Sequence, residues 1–495
     1  MSLIREWLCV FGLIGSALAA AVGPPGTVPT NSALVHTAPP KAVWSGPCAP
    51  TREGGRRLCE QGSRMRYNAV DSARVLVAGP NWCGGSMVLR RLAVFVLASC
   101  VLLCPPVSAL GQSSAKPKPH VVVVSVNGME LDVIRPLLLE GKMPNLSSVI
   151  KKGAYGKLRT VSAPNCPRVF STMFTSTEPE EHGVTGFIVG GITANTNMLK
   201  EEPIWSILSK NHVTVGMTNV PATFPVMPVN GYMISGMLTR GKNCEDGVLC
   251  APKLSEVEGG DAVYPPSLKA ELLKNVGDFY IDCERMPSAA DLQGHESAEI
   301  DAWLAKVQLI RDQQTRLFAY ILDHHPTDFT WLGQSCEDRT GHWLYPIAPY
   351  NAGYNPKINA VRTEAFPDQY VAFDKVLGEI LKHVDENTYL IIVSDHGIKP
   401  LREFEETDPH AHMDHEKTTP VIAKHDFADG DDVPGSFFAM GPGIKQNLRL
   451  MGFAASVYDI APTILHLYGI EQPPQMRGHV LSDIFVNAGK TVAER

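Results

Sequence analysis

Basic residues are in short supply: 44 Lys and Arg stand against 51 Asp and Glu, for a net charge of −7 over 495 residues. Those present form no stripe, which excludes nucleic-acid duplexes and anionic membrane surfaces as partners recruited by charge. No CxxC pair occurs, and with it the zinc-finger and thioredoxin signatures are missing. There is no internal repeat. The apolar run Leu92–Leu103 is short for a membrane span of roughly 20 residues. What is present is ordinary for a globular protein, 44% apolar and 19% charged. The length suits one large α/β domain with an insertion, or two to three ordinary domains.

The chain carries two leader-like segments. Met1 to Ala21 holds one Arg, an apolar run and small residues. Met87 opens a better example: Arg90-Arg91, then LAVFVLASCVLL, then a cleavage site after Val107-Ser108-Ala109. Residues 22–86 are rich in Pro, Gly and Arg without a sustained apolar period, so they should form no core. Residues 1–86 are therefore expected to be a disordered extension or an over-extended gene model, and 87–109 a signal peptide. Rival readings are an internal membrane anchor and a lipoprotein box at Leu97-Ala98-Ser99-Cys100. All three place the domain outside the cytosol, secreted, periplasmic or extracellular. Six of the eleven cysteines lie in the leader, leaving Cys166, Cys244, Cys250, Cys283 and Cys336. At least one of five must stay unpaired within the chain. Cys244 and Cys250 are close enough for a small loop disulfide.

From Pro119 onward the pattern changes. HVVVVSV (120–126) is a continuous β-branched run that reads as a strand buried on both faces. Leu131–Lys152 has helical spacing with Gly153 as its stop. Further strand signals fall at Thr214–Thr218, Asp328–Leu332, Tyr389–Ser394 and Ser436–Met440, with helical patterns at Ala298–His324 and Asp368–His383. Alternation of this kind predicts a mostly parallel sheet sandwiched by helices. Residues 241–297 break the rhythm, show no clear strand, and read as a small cap insertion in a domain spanning 119–488.

In such sheets the chemistry sits beyond the carboxyl ends of strands. Asn127-Gly128 follows the first strand, Asp395-His396-Gly397 follows YLIIVS, and Asp338-x-x-x-His342 follows DFTWL after a short gap. An Asp and a His four apart share one face of a helical turn. Each motif alone is more often a solvated or structural feature than a ligand set. Their joint placement at one sheet edge changes the odds. Oxygen and nitrogen donors of this kind suit zinc, manganese or iron.

The order strand-(D/N)-G, nucleophile segment, H-G, D-x-x-x-H and S-D-H-G resembles the type I phosphodiesterase/nucleotide pyrophosphatase branch of the alkaline-phosphatase superfamily, close to its predicted phosphohydrolase/phosphomutase group. GKMPNLSSVIKKGAYGKL, EPEEHGVTGF, EDRTGHWLYP, TYLIIVSDHGIKPL and ASVYDIAPTILHLYGI carry the likeness in order across most of 120–485. It implies an alkaline-phosphatase-like fold, two divalent metal ions, commonly zinc, and hydrolysis of a small phosphorylated substrate through a covalent phospho-enzyme. Carried over by position, the ligands are Asp338, His342, Asp395 and His396. The first-strand Asp is Asn127 here, which weakens one metal site. The nucleophile position falls on Cys166, which gives that residue a reason to be the unpaired cysteine. The late His is Asp431, with His425 nearby and His410, His412 and His415 lacking precedent. Cys166-Pro167-Arg168 does not meet the sulfatase signature C-x-P-x-R, so a formylglycine is not expected. The expected activity is a secreted metal-dependent phosphoric ester hydrolase. The alternative is a disabled relative that binds a phosphorylated or glycan ligand.

Overall fold

The run of valines in β1 (His120–Val126) suits an extended backbone, and the strand is buried along nearly its whole length. Its side chains alternate between two separate cores. Val121 and Val123 enter one, while Val122, Val124 and Val126 enter the other. Burial of each valine contributes about 1.5–3 kcal/mol. The computed structural model describes residues 118–244, 250–283, 296–346, 356–400, 423–424 and 433–487. All lie within the second of two units, Pro106–Arg495. The leader lies outside the described residues.

The main sheet continues with β2 (Gly153–Arg159), β3 (Val215–Val220), β4 (Gly231–Ser235) and β5 (Val263–Tyr264). It is completed by β6 (Phe329–Gln334), β7 (Thr388–Val393), β8 (Gly435–Met440), β9 (Leu448–Arg449) and β10 (Ala455–Ser456). Their order is β9-β2-β8-β7-β1-β6-β3-β4-β5, with β10 also on β2. The centre, β7-β1-β6-β3-β4, is parallel, whereas β8 runs antiparallel between β2 and β7. The fold is thus α/β, a mostly parallel sheet flanked by helices. Because β8 is reversed, its leading residues Val433–Gly435 lie at the carboxyl edge of its neighbours. The Gly397 amide donates to the Val433 carbonyl there at 2.9 Å.

Two expectations need correction. The helix expected over 131–152 is two helices, α1 (Leu131–Leu139) and α2 (Pro144–Lys152). The break falls where Gly141 takes φ +71° and Pro144 opens a new first turn. Secondly, 241–297 is not without strand. Val263–Tyr264 extends the sheet edge against β4, and Pro266–Asn275 is a helix. Leu254, Val263, Leu268 and Phe279 build a third apolar cluster with Leu317 and Ile321.

The remaining helices that matter for the site are α3 (Cys166–Thr175), α4 (Glu296–His324), α5 (Cys336–Leu344) and α6 (Pro356–Leu381). Among the described residues no helix is long and apolar enough to cross a membrane. Cys244 pairs with Cys250, Cys283 pairs with Cys336, and Cys166 is free and buried. The second disulfide ties the end of the insertion to the first turn of α5. Replacing Cys283 and Cys336 together with Ala should lower the unfolding free energy by about 2–4 kcal/mol, read from denaturant melts, since a loop of 53 residues then goes unclosed.

Candidate active site

Three neighbouring parallel strands, β7, β1 and β6, end side by side and deliver the polar residues anticipated from the sequence. Asn127 follows β1 directly, Asp395 and His396 follow β7, and Asp338 lies in α5 just beyond β6. A fourth contribution comes from β2, which leads through Thr160–Asn165 into Cys166 at the start of α3. The Asn165 side chain caps that helix by accepting from the Arg168 amide at 3.2 Å. Asn127, Cys166, Asp338, His342, Asp395 and His396 are all buried, His342 being the most open at 8%.

Asn127, Cys166, Asp395 and His396 meet directly. Asn127 Nδ2 donates to Cys166 Sγ at 3.3 Å, and His396 Nε2 lies 3.7 Å from the same sulfur. Asp395 Oδ2 is 3.1 Å from His396 Nε2. The sulfur, oxygen and nitrogen atoms therefore converge within 4.8 Å of one another. The other ring nitrogen, Nδ1, faces the Gly397 carbonyl at 2.9 Å and donates to it. In a nucleophile–base relay the carboxylate holds the ring nitrogen opposite the nucleophile. Here sulfur and carboxylate share one nitrogen and a carbonyl holds the other. Metal-binding imidazoles have this geometry. Asn127 Oδ1 is buried without a hydrogen-bond partner, which a bound cation would supply.

Asp338 and His342 share one face of α5, with His342 Nε2 3.5 Å from Asp338 Oδ1. Gly128 lets α5 come close to the end of β1. Its φ is +71°, and a Cβ there would sit 2.8 Å from the Asp338 Cα. The loops are held by hydroxyls that the sequence did not single out. Ser394 Oγ accepts from the Met129 amide at 2.8 Å and donates to the His396 carbonyl at 2.7 Å, while Ser436 Oγ donates to the Met129 carbonyl. Behind α5, buried Glu337 pairs with Arg311 of α4 at 3.1 Å, and Arg311 also donates to Gln369 of α6. Asp431, His425, His410, His412 and His415 lie outside the described residues.

Charge follows from this packing. Burial pushes the Cys166 thiol well above its ordinary range, and the nearby Asp395 and Asp338 carboxylates push it further. Burial also opposes charge on His396, but the Asp395 carboxylate beside it, with Asp338 beyond, overrides this and lifts the imidazole to about 9. Without a cation both groups hold protons at neutral pH.

A further carboxyl, missed from sequence, lies beneath the loops. Glu130 is 3% exposed, a Cβ on Gly397 would collide with its Oε2, and that oxygen has no hydrogen-bond partner. Burial, aided by Asp132, raises its pKa from 4.5 to about 7.

The type I phosphodiesterase/nucleotide pyrophosphatase family profile matches residues 121–440. The chain belongs to that family. Among curated proteins it is 30% identical over 193 residues to a provisionally assigned extracellular sulfatase Sulf-1 homolog of Caenorhabditis elegans, covering 34% of this chain. It is 24% identical over 184 residues, 37% of this chain, to the extracellular sulfatase SULF-1 homolog of Drosophila melanogaster. The matches span only 24% and 15% of those relatives' lengths. Among solved structures, human ectonucleotide pyrophosphatase/phosphodiesterase 5 aligns at TM-score 0.44 and 14% identity, covering 74% of this chain and all of that one. A 2-O GAG sulfatase aligns at 0.46 and 13%, covering 76% of each. Those structural likenesses are too loose to bear on function.

Glu130 generates a pH prediction. A carboxyl whose pKa is raised in the fold stabilises it below the unfolded value and loses that contribution as pH climbs through the folded one. Between pH 4.5 and about 7 the contribution of Glu130 to stability should therefore fall. Glu130→Gln should be more stable than wild type at pH 8 by roughly 3 kcal/mol and equal to it at pH 4, by chemical denaturation of the metal-free protein.

Proposed function

We propose that this protein is a secreted, metal-dependent hydrolase of phosphoric esters, either diesters or nucleotide pyrophosphates, with a thiol at the nucleophile position. The observation that carries the reading is the convergence of Cys166 Sγ, Asp395 Oδ2 and His396 Nε2 on one point, with Nδ1 turned away to a carbonyl. Thiolate, imidazole and carboxylate together are a donor set suited to zinc. Asn127, Cys166, Asp395 and His396 would hold one ion. Asp338 and His342 would hold the other, with Asp431 as its late ligand. Two matched relatives are described as extracellular, which supports the placement outside the cytosol.

Bound divalent ions supply a lowered nucleophile pKa and charge neutralisation at the non-bridging oxygens. The chain's own residues orient the reaction. The Asn127 amide fixes the sulfur, and α3 presents it at a helix start. Cys166 Sγ forms a bond to phosphorus as the bond to the leaving oxygen breaks. Water then attacks the phosphoryl group, restoring the thiol and releasing the phosphate product. The hydrogen bond to Gly397 keeps the His396 ring in place throughout.

A second reading, a binding protein built on a disabled site, is favoured by the neutral amide at 127 beside a buried thiol. Metal content and bis(p-nitrophenyl) phosphate turnover decide between them, in wild type, Cys166→Ala, Cys166→Ser and Asn127→Asp. The hydrolase reading expects metal-dependent turnover that falls at least about 100-fold in Cys166→Ala. Turnover arising only when Cys166→Ser and Asn127→Asp are combined would establish the binding protein. Zinc binding at pH 7.5 should also release about two protons, from Cys166 and His396. Calorimetry in buffers of different ionisation enthalpy measures that number, and zinc affinity should rise with pH.

A further inference from the structure

The amino edge of the sheet, opposite the catalytic residues, carries a cleft of about 280 Å³. It opens between the insertion helix Pro266–Asn275 and the turn that leads from α4 into β6. Thr214, Gly231 and Thr327 place it at the starts of β3, β4 and β6. The 6 residues of β6, rising about 3.3 Å each, put roughly 20 Å of sheet between this cleft and α5.

The wall is mostly apolar, built from Tyr232, Pro265, Leu268 and Pro326. Glu271 brings a carboxylate into it, and among the described residues no Lys or Arg lines it. Glu271 Oε1 accepts from His325 Nε2 at 2.6 Å and from the Tyr320 hydroxyl at 2.8 Å. The bond from His325, and after it the one from Tyr320, hold the carboxyl below its ordinary pKa, so it is charged at neutral pH. Asn275 Nδ2 donates to the same Tyr320 hydroxyl at 2.8 Å, which fixes the carboxylate's direction before any ligand arrives.

A staple between the insertion helix and α4 would need only that one oxygen. Both bonds end on Oε1, and Oε2 takes neither. The His325 ring stands edge-on to Tyr232 with centroids 6.0 Å apart. Donation from its Nε2 leaves Nδ1 an acceptor in the neutral ring. The hollow therefore offers negative charge and acceptors against apolar and aromatic surface. That chemistry suits an ammonium group carried on an apolar body.

We propose that this cleft is a second ligand site, which takes a small primary amine with its ammonium on Glu271 and its apolar body against Pro265, Leu268 and Pro326. Small-molecule sites usually run to about 300–1,000 Å³, so a single ring with a short amine arm is the size that fits. The site is separate from the catalytic edge and does not depend on the phosphoric ester reading.

Titration calorimetry on the full chain tests this with benzylamine, its neutral analogue benzyl alcohol and the anion benzoate, in wild type, Glu271→Gln and Ser267→Trp. Glu271→Gln keeps an oxygen to accept from His325 and Tyr320 while removing the charge. Ser267 is exposed at the rim, so Ser267→Trp fills the cleft without touching the core. Wild type should bind benzylamine saturably and at least about tenfold more tightly than benzyl alcohol, with benzoate weaker than either. Glu271→Gln should bring benzylamine down to the affinity of the alcohol, whose own binding should stay within about twofold. Ser267→Trp should weaken both. Absence of saturable benzylamine binding in wild type, or binding unchanged in either variant, would overturn the proposal. Equal loss of amine and alcohol in Glu271→Gln would make the carboxylate a staple and overturn it too. So would benzoate binding more tightly than benzylamine, which would assign the cleft to anions through His325.

Discussion

Everything at this site depends on parallel pairing of β1 with β6 on one side and β7 on the other. Val121 lies level with Phe329 and with Tyr389, and the three strands end together. That register alone brings Asn127, Asp395 and the start of α5 to one edge, although Asn127 is more than 200 residues from the other two in sequence. The pairing is secured by burial on both faces, where a one-residue slip would turn every valine of β1 into the wrong core. Ser125 is the exception that fits, since its hydroxyl accepts from Trp331 Nε1 at 3.0 Å across the sheet.

The site then raises its own electrostatic problem. A thiol, two carboxylates and an imidazole are buried together, and the protons that the thiol and the imidazole retain reflect that crowding. A divalent ion would relieve it by taking the place of protons on sulfur and imidazole. Asn127 fits the same logic in part. Its amide donates to sulfur while Oδ1 is left unpartnered, and a half-turn about the terminal side-chain bond would exchange the two.

Much of this was legible in the sequence because the strands are nearly pure β-branched runs and their followers are polar. HVVVVSV-NG, TYLIIV-SDHG and the D-x-x-x-H spacing pointed to a mostly parallel sheet and to the polar residues that meet at its carboxyl edge. The weaker β2 was hidden: GAYGKLR has two glycines, and its close approach to Leu450 and Ala439, where a Cβ on Gly156 or Gly153 would collide, is a tertiary matter. The edge strand Val263–Tyr264 is too short to leave a period. The direction of β8 was equally hidden, since periodicity carries no sign. Nothing in the sequence marks Glu130 or Arg339, and only the fold reveals that one is buried under Gly397 and the other is tethered to Asp282. The pairing of Cys283 with Cys336 across 53 residues had no signal, whereas Cys244–Cys250 did, through proximity alone.

The most direct test of a cation at the meeting point of Cys166, Asp395 and His396 is X-ray absorption on the zinc-loaded full chain. The account predicts a sulfur scatterer at about 2.3 Å in one of the bound ions, lost in Cys166→Ala while nitrogen and oxygen scatterers remain. A zinc shell of nitrogen and oxygen alone in wild type, unchanged by Cys166→Ala, would contradict it.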